Sequence, residues 1–143
     1  YHFIRDGITV DKVELSKTVG FAYIAEHFGD LTREDAKEIL KKASSLMEES
    51  AKRILIKGKA TVTLEAAELF AEAKIDLVGN ESQTVGPEDG PMPVHKVLLG
   101  ANIVLLEGIR LSGVKEGVYF LSAAPLSLLD SDGSPCRAVL IEF

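Results

Sequence analysis

Little in this sequence can form a covalent cross-link. Its 143 residues include one cysteine, Cys136, so no internal disulfide is available and a reducing, cytoplasmic setting is expected. Basic charge is also scarce: 16 lysines and arginines stand against 22 acids, a net charge of −6. The basic residues are scattered, and a surface without a basic patch cannot release counterions from a phosphate backbone, which excludes nucleic acid as a partner. Long apolar runs are missing too. The longest, residues 97–106, contains Gly100 and Asn102 and falls short of the roughly 20 residues that span a bilayer, so no membrane partner is expected. The opening Tyr1-His2-Phe3-Ile4-Arg5-Asp6-Gly7 is too polar for a signal peptide. It also lacks an initiator methionine, from which we expect residues upstream of Tyr1. No Gly-x-Ser-x-Gly and no glycine-rich phosphate loop occurs, and Cys136 follows Pro135 with no histidine nearby. Asp130-Ser131-Asp132-Gly133 opens like a calcium loop but lacks the closing glutamate, so it reads as a turn.

What is present is the composition of a folded domain, with 46% apolar and 27% charged residues and no internal linker. We expect one compact domain over residues 1–143, long enough to bury roughly 68–70% of its unfolded surface. A loop and then a strand at about 20–25 come first. Thr32, followed by Arg33-Glu34-Asp35, has the features of a helix start, and Ala36, Ile39, Leu40, Ala43 and Leu46 or Met47 recur at helical spacing. A buried strand is expected at 53–57, ended by Gly58, and a second helix capped by Thr63 with Leu64, Ala67, Phe70 and Ala71 on one face. Further strands are expected at 75–78, ending at Gly79, and at 103–106, 118–123 and 137–143. A polar loop fills 80–93, and a short helix follows Pro93 over 94–99. The composite is α/β: a mixed central sheet with flanking helices.

Three histidines are candidates for chemistry: His2, His27 and His95. His27 ends the first strand with nothing beside it that suggests a site. His95 opens the short helix after a proline-rich loop, at the lip of the sheet, where ligands bind in α/β folds. Glu107 ends the strand that follows, after four apolar residues, and a half-buried carboxylate there needs a partner such as a cation. A His and a Glu twelve residues apart do not by themselves make a metal signature.

Order along the chain adds a resemblance. Residues 79–85 (Gly-Asn-Glu-Ser-Gln-Thr-Val), 93–99 (Pro-Val-His-Lys-Val-Leu-Leu) and 105–109 (Leu-Leu-Glu-Gly-Ile) resemble the later half of the cyclase family of metal-dependent hydrolases. Bacterial kynurenine formamidases and isatin hydrolases belong to that family. Ala124-Pro125-Leu126 and residues 132–139 resemble its closing strands. Tyr1-His2-Phe3, with Asp6-Gly7 after it, is similar to the end of the family motif His-x-Gly-Thr-His-x-Asp-x-Pro-x-His-Phe.

The resemblance implies a swivelling β/α/β-like cyclase fold, His95 and Glu107 as metal ligands, and His2 as the catalytic acid or base. It implies a divalent ion, zinc or manganese, and assembly as homodimers or homotetramers. The reaction implied is hydrolysis of a small amide, formamide or cyclic amide substrate, since such an ion acidifies water and polarises a carbonyl. The sequence departs from the family pattern in three ways. The earlier histidines and the aspartate of the first motif are not in it. The stretch between Ile56 and Thr63 is short, and Glu81 and Gly86 stand where relatives carry other residues. The alternative is a relative that keeps the fold for ligand binding or assembly without catalysis.

Overall fold

The computed structural model describes Ile4 and residues 7–143. After a 3-10 turn (Val10–Lys12) and the one-turn helix α1 (Leu15–Thr18) come strands β1 (Val19–Glu26) and β2 (Gly29–Leu31). Helix α2 (Arg33–Leu46), a second 3-10 turn (Glu48–Lys52), β3 (Arg53–Lys57), β4 (Ala60–Val62) and α3 (Leu64–Glu72) follow. The remainder is β5 (Leu77–Asn80), α4 (Met92–Gly100), β6 (Val104–Leu106), β7 (Gly117–Ser122) and β8 (Val139–Ile141).

Six strands form the main sheet in the order β6-β5-β3-β1-β7-β8. The first four are parallel, while β7 and β8 run antiparallel to their neighbours. Tyr23, Ile54, Val78 and Leu105 stand in one row across the parallel strands. Strands in such a sheet are covered on both faces and therefore read as continuous apolar runs. Ile54, Leu55 and Ile56 of β3 are at most 1% exposed, and burial of each contributes about 1.5–3 kcal/mol.

The chain moves in one direction across the sheet from β1 through β3 and β5 to β6. Right-handed crossovers taken in one direction keep landing on the same face. Buried residues of α2 (Ala36, Ala43), α3 (Ala66, Ala67, Phe70) and α4 (Val94, Leu98) accordingly share one core with Tyr23, Ala25, Ile54, Ile56 and Val78. Alternate strand residues point the other way. There Ala22, Ile24, Leu55 and Leu77 meet Leu121 and Ala123, with Leu111, Ile109 and Cys136 from loops above them.

The mixed α/β architecture is as expected, with the helices gathered on one face. Local signals hold where side chains cap helices. Thr32 accepts from the Asp35 N–H while Asp35 accepts from the Thr32 N–H, a reciprocal capping box. Thr63 caps α3 by accepting from the Ala66 N–H. Five details differ, the first being that the strand expected at 137–143 is only the three-residue β8, Val139–Ile141. The strand expected at 75–78 is β5, which runs through Gly79 to Asn80. A Cβ on Gly79 would lie 2.8 Å from the Leu106 carbonyl oxygen and from Leu55 Cδ2, so this glycine lets β6 approach instead of ending the strand. Helix α4 starts two residues early, at Met92, with Pro93 in its first turn. Leu46 and Leu64 are 61% and 44% exposed, so those helix ends face solvent. Last, β2 and β4 form a separate two-stranded parallel sheet, in segments too short to show any periodicity. Among the described residues, no helix is long and apolar enough to cross a membrane.

Candidate functional site

In open α/β sheets the carboxyl ends of the parallel strands are where loops leave room for a ligand. Here β5 delivers Asn80 and β6 delivers Glu107 to that end, and α4 enters between them. Asn80 is fully buried and donates from Nδ2 to the carbonyls of Ala60 (3.3 Å) and Thr84 (3.0 Å), shaping the loop that leads to α4. The sequence shows Asn80 only as the first residue of a polar loop. Its role depends on two carbonyls, Thr84 from that loop and Ala60 from β4, which only the fold brings together.

His95 lies in the first turns of α4 and is 4% exposed. Its backbone N–H and its ring Nδ1 both meet the Pro91 carbonyl oxygen, at 3.0 and 2.9 Å. A carbonyl only accepts, so Nδ1 carries a proton and donates, and the ring is held with Nε2 directed outward. Nε2 lies 3.0 Å from Glu107 Oε1. That same oxygen accepts the Val85 N–H at 2.9 Å. Gly108 follows in the left-handed region (φ 68°) and turns the chain back, with its N–H donating to the Ser82 carbonyl.

The two groups shift each other. The bond to Glu107 raises the His95 pKa, against the effect of burial, with help from the Pro91 carbonyl. Burial alone would raise Glu107, but the bonds from His95 and the Val85 N–H outweigh it and hold the carboxyl below its ordinary value. Without metal, each group favours the charged form of the other across this hydrogen bond. With its Nε2 proton replaced by a divalent cation, the same pair offers a lone pair and a carboxylate oxygen converging on one point. Two ligands at about 2.0–2.1 Å in tetrahedral geometry lie roughly 3.3 Å apart, close to the 3.0 Å found here. A carbonyl acceptor behind a ligating histidine is the usual way its ring is oriented.

The pair fits part of a metal site. Among the described residues no group of three or more His, Cys, Asp or Glu comes together to hold an ion, whereas a hydrolytic zinc site has three protein ligands. His2 lies outside the described residues. His27 is occupied elsewhere, its Nε2 meeting the Asp30 carbonyl at 2.9 Å. Beside the pair opens a cleft of about 970 Å³, lined by strand and loop residues together with Thr18 of α1 and His95 and Leu99 of α4. Leu55, Leu77 and Leu121 form its floor, and Arg110 and Arg137 line it as well. Cys136 also lines it, but burial pushes its thiol up, the opposite of what a nucleophile needs.

No protein-family model matches the chain. The fold superposes with a TM-score of 0.83 on a solved structure described as a potential metal-dependent hydrolase with cyclase activity. Identity there is 27%, over 97% of this chain and 73% of that one. The kynurenine formamidase of Salinibacter ruber is 32% identical in a gapped alignment of 151 positions that takes in 97% of this chain and 70% of that protein. The chain belongs to the cyclase family. A second relative, the kynurenine formamidase of Bacillus cereus, is 32% identical in a gapped alignment of 153 positions that takes in 98% of this chain and 71% of that protein. In this cyclase-family chain the His95–Glu107 pair and Asn80 stand at the carboxyl end of the sheet, with His95 and Glu107 lining the cleft.

Proposed function

We propose that this cyclase-family protein hydrolyses a small amide, formamide or cyclic amide, with His95 and Glu107 as two ligands of a divalent ion, zinc or manganese, and His2 as the acid–base group. The observation that carries the proposal is the approach of His95 Nε2 to Glu107 Oε1 at 3.0 Å, at the carboxyl ends of parallel strands. Likeness to the Salinibacter ruber kynurenine formamidase supports the choice of reaction. When bound, such an ion lowers the pKa of water and polarises a carbonyl. The residues do the rest. Pro91 holds the His95 ring in the tautomer whose Nε2 can ligate, and the Val85 N–H fixes the Glu107 oxygen. The apolar floor of the cleft excludes water from the body of a substrate. His2 would accept the proton from water and return it to the leaving amine, work for which an imidazole is suited. Self-association as dimers or tetramers belongs to the same proposal.

The test is hydrolysis of small N-formyl aryl amines and cyclic amides by the full-length protein, with zinc or manganese supplied and then chelated. The proposal expects turnover that is lost on chelation and restored by the metal. No hydrolysis of any such compound in the metal-loaded protein would overturn it. The alternative reading is a relative that keeps the fold and binds small molecules without reacting. That reading expects saturable binding of the same compounds and no product.

A further inference from the structure

Glu81 follows directly on β5 and belongs to neither half of the donor pair, yet its carboxylate ties two distant loops to that strand. Oε2 accepts the Gly58 N–H at 2.7 Å and Oε1 accepts the Leu111 N–H at 2.7 Å. Both lengths lie at the short end expected when the acceptor is ionised. Gly58 presents its N–H from a turn that only glycine fits. Its φ is +109°, and a Cβ there would meet the His27 carbonyl oxygen at 2.4 Å. Leu111 is 3% exposed and packs into the core on the helix-free face.

Leu111 also closes the segment that Glu107 begins. Residues 80–82 hold this segment at three points. The Ser82 carbonyl accepts the Gly108 N–H (2.9 Å), the Asn80 carbonyl accepts the Ile109 N–H (3.2 Å), and the Glu81 carboxylate accepts the Leu111 N–H. Of the three, the Glu81 bond is made by a side chain, carries charge, and reaches a third loop through Gly58.

We infer that Glu81 is a positioning residue for the candidate metal site: by fastening Leu111 and Gly58 to the end of β5, it sets where Glu107 meets His95. This rests on the reading of His95 and Glu107 as ligands. A glutamine at this position keeps one acceptor oxygen but turns an NH2 group toward one of the two N–H donors. That half of the clamp is then lost, and the segment behind Glu107 is free to drift.

Amide hydrogen exchange on the metal-free, full-length protein tests the inference without relying on metal. The Val85 N–H donates to Glu107 Oε1 and makes neither bond of the Glu81 clamp. In Glu81→Gln its exchange should quicken about tenfold or more, together with that of Leu111, while α2 amides keep wild-type protection. Faster exchange at Gly58 and Leu111 with unchanged Val85 overturns the inference, because Glu81 is then a local staple only. If Glu81→Gln loses protection throughout α2, the same comparison in Glu81→Asp, which keeps the charge on a shorter arm, decides on the same criterion. Zinc titration separates this inference from the reading it rests on. Zinc affinity about 10–100-fold weaker in Glu81→Gln than in wild type supports both, and equal affinities overturn the inference. A wild-type protein that binds no zinc overturns the metal reading, and the Val85 result still decides the role of Glu81.

Discussion

Replacing Gly79 by alanine tests the close approach that brings Glu107 to the site. The new Cβ would stand 2.8 Å from the Leu106 carbonyl oxygen, 2.8 Å from Leu55 Cδ2 and 3.1 Å from Leu106 Cβ. Leu55 can rotate aside. The Leu106 carbonyl cannot, because Gly79 and Leu106 are paired across β5 and β6, so the edge strand must move away. Overpacking of this kind costs about 1–3 kcal/mol, against which alanine regains roughly 0.4–1 kcal/mol by restricting the unfolded chain. Taking the middle of each range, the net loss is about 1–2 kcal/mol. At roughly 4 °C per kcal/mol for a domain near this size, Tm should fall by about 4–8 °C. Because Glu107 follows Leu106 directly, zinc affinity should fall as well. Gly90 has no atom within 4 Å of its would-be Cβ and serves as the control. Calorimetric unfolding and zinc titration of Gly79→Ala and Gly90→Ala give the comparison. Equal Tm values in the two variants would refute the reasoning, since Gly79 would then have room to spare.

Three further outcomes can be checked in the same preparations. In metal-free protein the His95–Glu107 bridge should depend on pH in a definite sense. The raised His95 pKa gives stability that is complete below its ordinary 6.5 and is lost as pH rises through the folded value, while the lowered Glu107 pKa gives stability present above 4.5 and lost as pH falls through its folded value. Urea unfolding of Glu107→Gln against wild type should therefore show its largest difference between those two values, and a difference independent of pH would contradict the bridge. Thr32→Ala removes the cap that accepts the Asp35 N–H and should cost about 1 kcal/mol by urea unfolding, with no effect on hydrolysis. Cys136→Ser should leave the hydrolysis rate at the wild-type level, because a thiol pushed up by burial has no nucleophilic part, and loss of turnover would show otherwise.

The parts of the fold that are legible in sequence are those written in local chemistry. Thr32 and Thr63 mark their helices, and the run from Arg53 to Lys57 matches β3 residue for residue. Gly79 misleads, because a glycine that ends a strand and one that admits a neighbouring strand look alike until the neighbour is placed. Strands β2 and β4 pair only with each other, three residues against three, and leave no pattern. The site divides in the same way. His95 and Glu107 can be singled out from their positions at a helix start and a strand end. Their meeting at 3.0 Å depends on how β6 returns beside β5, which a spacing of twelve residues does not encode. Glu81 leaves no trace as an anchor, since both of its partners are backbone N–H groups, which carry no side-chain signal.

Zinc binding by the full-length protein and by its His95→Ala and Glu107→Ala variants, followed by titration calorimetry, tests the central claim most directly. The account predicts that the wild-type protein takes up the ion, and that each variant retains its fold while losing at least tenfold in affinity. Wild-type affinity in both variants, or a wild-type protein that takes up no ion at all, would contradict it.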